Sequence, residues 1–183
     1  MSRLPIPATI TAAPDASQPL LRAVERQLGS APNLFRLVAN SPAALEGYVG
    51  LMGALGKGAL PAATREGIAL AVAEINGCGY CLSAHTYLAR QVARLDDAEI
   101  AANRSGTSND SFADAAVRFA SSVARLRGHV SDDELAAVRQ AGYTDAQVIE
   151  IVQHVALNTW TNYINEVART DIDFPVVDLN RAA

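Results

Sequence analysis

Residues 66–85 read EGIALAVAEINGCGYCLSAH, and the way this stretch divides decides the fold. Taken with the preceding LPAATR, its first half predicts a helix that starts near Pro61 and stops at Asn76-Gly77, a dipeptide that favours left-handed or turn conformations. A second helix should begin at about Cys78 and run to Arg94. If the two fold back antiparallel, Glu66 lies roughly 15 Å before the turn and His85 roughly 12 Å after it, at 1.5 Å per residue. A carboxylate and an imidazole far apart in sequence would then sit side by side.

Outward from this hairpin the same signal continues. Alanine is abundant, β-branched alternation is scarce, and apolar residues recur three and four apart, so the fold class should be all-α. A helix is expected from about Ser17 to Leu28, closed by Gly29 in a left-handed turn. APNLFRLVANSP gives a short one, and Ser41 caps a longer one with Pro42 in its first turn. Further helices should run from a cap at Asp96 through Asn103, from Ser111 to Arg127, from Ser131 to Gln140 behind a capping box, and from Thr144 to Arg169. An extended lead, about 1–16, and an extended tail, about 171–183, complete a single domain of 183 residues. Gly47, Gly50, Gly53 and Gly56 recur every third residue, and a helix bears that cost of roughly 1 kcal/mol each where another backbone comes close.

A net charge of −4 with scattered Arg and Lys offers no electrostatic footprint for nucleic acid. No stretch approaches 18 uninterrupted apolar residues, and the proline-broken start lacks a signal-peptide core, so neither membrane nor secretion is expected. The expected location is the cytoplasm. Thiols there stay reduced, and a lone C-x-x-C is more often catalytic or metal-binding than structural.

On a helix starting near Cys78, Cys78, Cys81 and His85 share one face. A thiol at a helix N-terminus meets free backbone N–H groups and the positive end of the macrodipole, which favour the thiolate. His85, one turn beyond Cys81, can take its proton. One sulfur can then attack an oxidant while the other resolves the product as a short disulfide. Cys81, closer to His85, is assigned as attacking and Cys78 as resolving. Glu66 can orient His85 or relay its proton, whereas Glu74, near the turn, reads as a solvated surface group. Two buried inert cysteines and a zinc site are the competing readings. C-x-x-C plus His85 makes only three ligands, with no second cluster for a fourth, so no metal or other cofactor is expected. His129, beside Gly128, should be exposed. His154, Asn158, Asn162 and Asn165 form a polar stripe, read first as an exposed or subunit-facing helix edge and second as a lining of the redox pocket.

The block from Glu66 to His85, with Cys78 twelve positions after the glutamate and the form Asn-x-Cys-x-Tyr-Cys-x-x-x-His from Asn76 onward, resembles the alkylhydroperoxidase D (AhpD)-like branch of the carboxymuconolactone decarboxylase family. NTWTNYINEVARTDIDFP, residues 158–175, is similar to the C-terminal end of its peroxidase-related members. The resemblance implies a helical fold assembling as homotrimers or homohexamers. It also implies hydroperoxide reduction with Cys81 attacking, Cys78 resolving, Glu66 and His85 relaying protons, and a dithiol or dihydrolipoyl-type reductant. The mycobacterial-type enzyme has a second histidine where Tyr80 stands here. A phenol, with a pKa near 10, cannot replace it as base but can donate a hydrogen bond to a thiolate or peroxide oxygen. The alternatives are a non-enzymatic redox-sensing oligomer and lyase chemistry of the decarboxylase type, whose members normally lack the C-x-x-C pair.

Overall fold

The computed structural model describes residues 2–180. Its regular structure is entirely helical: α1 Gln18–Leu28, α2 Asn33–Val38, α3 Pro42–Leu55, α4 Ala62–Asn76, α5 Gly79–Gln91, α6 Asp97–Arg104, α7 Ser111–Leu126, α8 Asp132–Gln140 and α9 Asp145–Ala168. The all-α expectation holds. The lead adds two 3-10 turns, Ile10–Ala12 and Asp15–Ser17.

Local chemistry sets the boundaries. Gly29 (φ 81°) and Gly77 (φ 69°) end α1 and α4 in the left-handed region, where a side chain would be strained. Ser41, Asp96, Asp110, Ser131 and Thr144 each accept a hydrogen bond from the first turn of the helix they precede, with full capping boxes at α8 and α9.

Helix α4 is the axis of the fold and packs on α5, α6, α7 and α9. It is apolar nearly all round, as a helix enclosed by others must be. Leu70 and Ala73 face a core shared with α1, α2, α3 and α5, while Ile68 and Val72 face a second one shared with α7, α8 and α9. Glu66 is therefore carried on the element with least freedom to move.

The glycine expectation is corrected. A Cβ added at Gly47, Gly50 or Gly53 would meet nothing within 4 Å, so no neighbour approaches the α3 stripe. Within the helices the close approach is at Gly67 instead, where a Cβ would lie 2.9 Å from Asn103 Oδ1 and 3.0 Å from Val117 Cγ2. Gly67→Ala should cost about 1–3 kcal/mol by overpacking. Gly50→Ala, on an exposed helical face, should stabilise by about 0.5–1 kcal/mol through helix propensity. Urea unfolding of the two variants measures both, and equal shifts in one direction would contradict the packing described.

Beyond α9 the tail has no regular element through residue 180, as expected of an arm; residues 181–183 lie outside the described part. It straps back across α5. Ile172, Phe174, Val177 and Leu179 pack on the core that holds both cysteines, and the Val177 amide donates to Ser83 Oγ at 3.0 Å. Glu74 is not the solvated group expected. Its carboxylate accepts from Arg104 Nε at 2.8 Å, both side chains being largely buried, and the Asn180 amide closes on it too. An acid at a helix end looks solvated in sequence, but here a strap from a hundred residues away covers it.

Candidate active site

The turn at Asn76-Gly77 delivers Cys78 as the N-cap of α5, with its Sγ accepting from the Cys81 amide at 3.4 Å. Cys81 follows in the first turn. Both are free thiols and both are buried, at 0% and 2% exposure. One turn on, His85 Nδ1 donates to Glu66 Oε2 at 2.8 Å, with 22% and 19% of the two side chains exposed. The sequence-based arithmetic across the hairpin is met: the carboxylate and imidazole touch, and they form the open rim of a site whose sulfurs are sealed.

Helix α9 runs alongside α4 in the same direction. Glu150 Oε2 accepts from the Ala59 amide (2.8 Å) just before α4, and Asn162 Oδ1 accepts from Asn76 Nδ2 (2.9 Å) at its end. This register turns the α9 polar stripe inward. His154, Asn158, Thr161, Asn162 and Asn165 are all buried, so the reading as an exposed edge is overturned. Asn165 Nδ2 donates to Cys81 Sγ at 3.2 Å, and Thr161 Oγ1 lies 4.0 Å from the same sulfur while donating to Asn158 O. Thr161 and Asn165 were not singled out as sulfur partners in the sequence, though four-residue polar spacing in an otherwise buried helix was the available signal.

These contacts divide the two thiols. Cys81 is lowered to about 6, first by the hydrogen bond that Cys78 gives it, against the opposing effect of burial, then by the charge of His85 and the amides of Asn162 and Asn165. Cys78 is pushed up, since it donates to Cys81, is buried, and faces negative charge on Cys81. The pair thus shares one negative charge, held on Cys81. Burial depresses His85, but the charge and hydrogen bond of Glu66 and the nearby Cys81 outweigh it and leave His85 raised. The Cys81/His85 couple favours thiolate beside imidazolium.

Tyr80 faces away from the sulfur. Its hydroxyl donates to Asp173 Oδ1 at 2.8 Å and accepts from the Leu34 amide at 3.1 Å, while Phe174 packs edge-on against its ring. A phenol has one proton, and Asp173 on the strap holds it. His129 is exposed. His154 is buried with an unpartnered Nε2, and burial, reinforced by Arg65 and opposed by Glu150 and Glu66, lowers it to about 4. Unfolded, it would take up its proton near pH 6.5; folded, near 4. Its contribution to stability is then complete above pH 6.5 and is lost toward pH 4, on the order of 2–3 kcal/mol. Urea midpoints at pH 7 and pH 4.5 should converge more closely in His154→Gln than in the parent; an unchanged gap would refute this.

Among the described residues no group of three or more His, Cys, Asp and Glu side chains is arranged to hold a metal ion, and no helix is long and apolar enough to cross a membrane. Residues 42–126 match the carboxymuconolactone decarboxylase family. That segment, a little under half of the chain, is where its sequence is similar to the family. The family segment runs from α3 to the end of α7 and includes Glu66, Cys78, Cys81 and His85, whereas α9 lies outside it. No curated protein matches the chain in sequence. In structure it is similar to the alkylhydroperoxidase AhpD core of an uncharacterized peroxidase-related protein from Ralstonia eutropha JMP134, with TM-score 0.83 and 24% identity over 94% of this chain and 92% of that one. It is also similar to an uncharacterized peroxidase-related protein from Silicibacter sp. TM1040, with TM-score 0.80 and 23% identity over 93% and 91%. A third likeness is to a variant of the debrominase Bmp8 in complex with 2,3,4-tribromopyrrole, with TM-score 0.77 and 22% identity over 92% and 90%. At these identities the likeness establishes the fold, the AhpD-like one.

Proposed function

We propose that the protein is a thiol-dependent hydroperoxide reductase. The observation that carries this reading is the Cys78–Cys81 pair at the start of α5, one sulfur held acidic and the other protonated, beside a His85–Glu66 pair at 2.8 Å. Cys81, held below the ordinary thiol range, is the sulfur of the pair that ionises first. The Cys81 thiolate attacks the terminal oxygen of a hydroperoxide: the S–O bond forms, the O–O bond breaks, and His85 protonates the leaving alkoxide to give an alcohol. Cys78 then attacks the sulfenic Cys81, the S–O bond breaks, water leaves and the disulfide closes. An external dithiol, dihydrolipoyl-like in chemistry, returns both sulfurs to thiols, as a reducing compartment such as the cytoplasm allows. Glu66 holds His85 with Nδ1 protonated and Nε2 free for transfer.

Assembly as a homotrimer or homohexamer is part of this reading. It is supported by exposed Ile149, Trp160, Tyr163 and Val167 on the outer face of α9. The test is steady-state consumption of tert-butyl or cumene hydroperoxide with a dithiol reductant. Many turnovers per chain are expected. Arrest after one equivalent would instead favour a redox sensor. A second reading, motivated by the likeness to the debrominase, is reduction of a brominated pyrrole by the same thiols; turnover of that compound with none of hydroperoxide would replace the first.

A further inference from the structure

Most of the donors on the α9 stripe are already engaged. Asn158 Nδ2 is tied to His154 O at 2.8 Å, and Thr161 Oγ1 to Asn158 O at 2.9 Å. Asn162 Oδ1 is occupied by Asn76 Nδ2, which leaves its Nδ2 turned toward Cys81, and Asn165 Nδ2 is occupied by Cys81 Sγ, which leaves its Oδ1. Those two remaining atoms, Asn162 Nδ2 and Asn165 Oδ1, are buried and have no hydrogen-bond partner among the described residues. The two residues are 0% and 2% exposed. Leaving a buried amide group unpaired costs about 1–3 kcal/mol, and native proteins keep such groups where a ligand or water completes them.

The orphaned atoms are one donor and one acceptor, three residues apart on one helix, on two side chains that both act on Cys81. A hydroperoxyl group carries one O–H donor and acceptor lone pairs on two oxygens. We infer that Asn162 and Asn165 form a hydroperoxyl-binding subsite, in which Asn165 Oδ1 accepts the peroxide O–H and Asn162 Nδ2 donates to the oxygen that gains charge as Cys81 attacks. Asn162 is then a catalytic residue, and Asn76, the last residue of α4, is a positioning residue that fixes which end of the Asn162 amide faces the site. The reverse orientation would aim a carbonyl oxygen at a thiolate, which electrostatics disfavours. The inference rests on the peroxidase reading and adds the residues that recognise the substrate. All of α9 lies outside the family segment.

The test separates help to the thiolate from help to the peroxide. Rapid-mixing rates of Cys81 oxidation by tert-butyl hydroperoxide and of alkylation by iodoacetamide are followed from pH 5 to pH 9 for the parent and Asn162→Ala. Alkylation needs only the thiolate, so above its midpoint the variant should match the parent. Its hydroperoxide rate should stay about 100–1,000-fold lower at every pH, the usual scale for losing one donor to a developing oxyanion. Recovery of that rate to the parent value above the midpoint, or no loss at all, overturns the inference while leaving the peroxidase reading intact. A parent protein that does not react with hydroperoxide removes both. Asn76→Ala, which leaves Asn162 in place with its amide free to turn, should lose about 3–10-fold in the same comparison. If Asn162→Ala does not fold, an unchanged rate in Asn76→Ala is the overturning result.

Discussion

Cys81→Ser should abolish hydroperoxide consumption, at least about 1,000-fold below the parent, because a serine hydroxyl is not ionised at neutral pH and no other thiolate is available. Cys78 cannot substitute. It donates its proton toward Cys81, and its burial and the nearby negative charge push it away from ionisation. Cys78→Ser should behave differently: one equivalent of peroxide is consumed, the sulfenic acid persists, and turnover stops because nothing resolves it. Trapping that sulfenic acid with a dimedone-type reagent, followed by mass spectrometry, distinguishes the two. Serine keeps an O–H that can donate to Cys81, so the single oxidation of Cys78→Ser should follow the parent's pH dependence, whereas Cys78→Ala, which removes the donor, should require higher pH. Equal and full turnover in both variants would sink the assignment, and the reverse pattern would exchange the roles.

Most of the fold was legible because local signals agreed with the tertiary result. Gly29 and Gly77 sit where left-handed residues end helices, and Ser131 and Thr144 cap as their side chains require. The hairpin that brings Glu66 to His85 followed from helical rise and one turn. The misreadings share a cause: each concerned which neighbour covers a surface. Glu74 meets the tail strap, the α3 glycines meet nothing, and the α9 stripe meets the start of α5. Periodicity states that a face differs from the rest of its helix but does not name what packs on it. Tyr80 shows the same limit. Its place in the motif put it near the attacking sulfur, yet side chains one residue apart on a helix point about 100° apart, and its hydroxyl reaches Asp173 on a segment over ninety residues away.

Glu66→Gln isolates the charge of the relay from its geometry. Glutamine Oε1 can still accept the His85 Nδ1 proton, so the tautomer and ring orientation are kept while the negative charge goes. The sign follows. Glu66 raises His85, so its loss lowers His85, and less imidazolium stands beside Cys81 at a given pH. The positive charge of His85 helps hold Cys81 down, so the Cys81 midpoint should move up from about 6, toward the ordinary thiol range. Hydroperoxide kcat/KM at pH 7 should fall about 10–100-fold, through both the lost thiolate and the weaker proton delivery to the leaving alkoxide. The partly exposed pair is not part of either core, so the variant should fold with unchanged helical circular dichroism. Glu74→Gln is the matched control: it removes the charge paired with Arg104 beneath the strap and should lower thermal stability without moving the Cys81 midpoint. An alkylation profile identical in Glu66→Gln and the parent would take Glu66 out of the relay, and a profile shifted equally by Glu74→Gln would show that general acidity near the turn, rather than the His85 contact, sets the thiol.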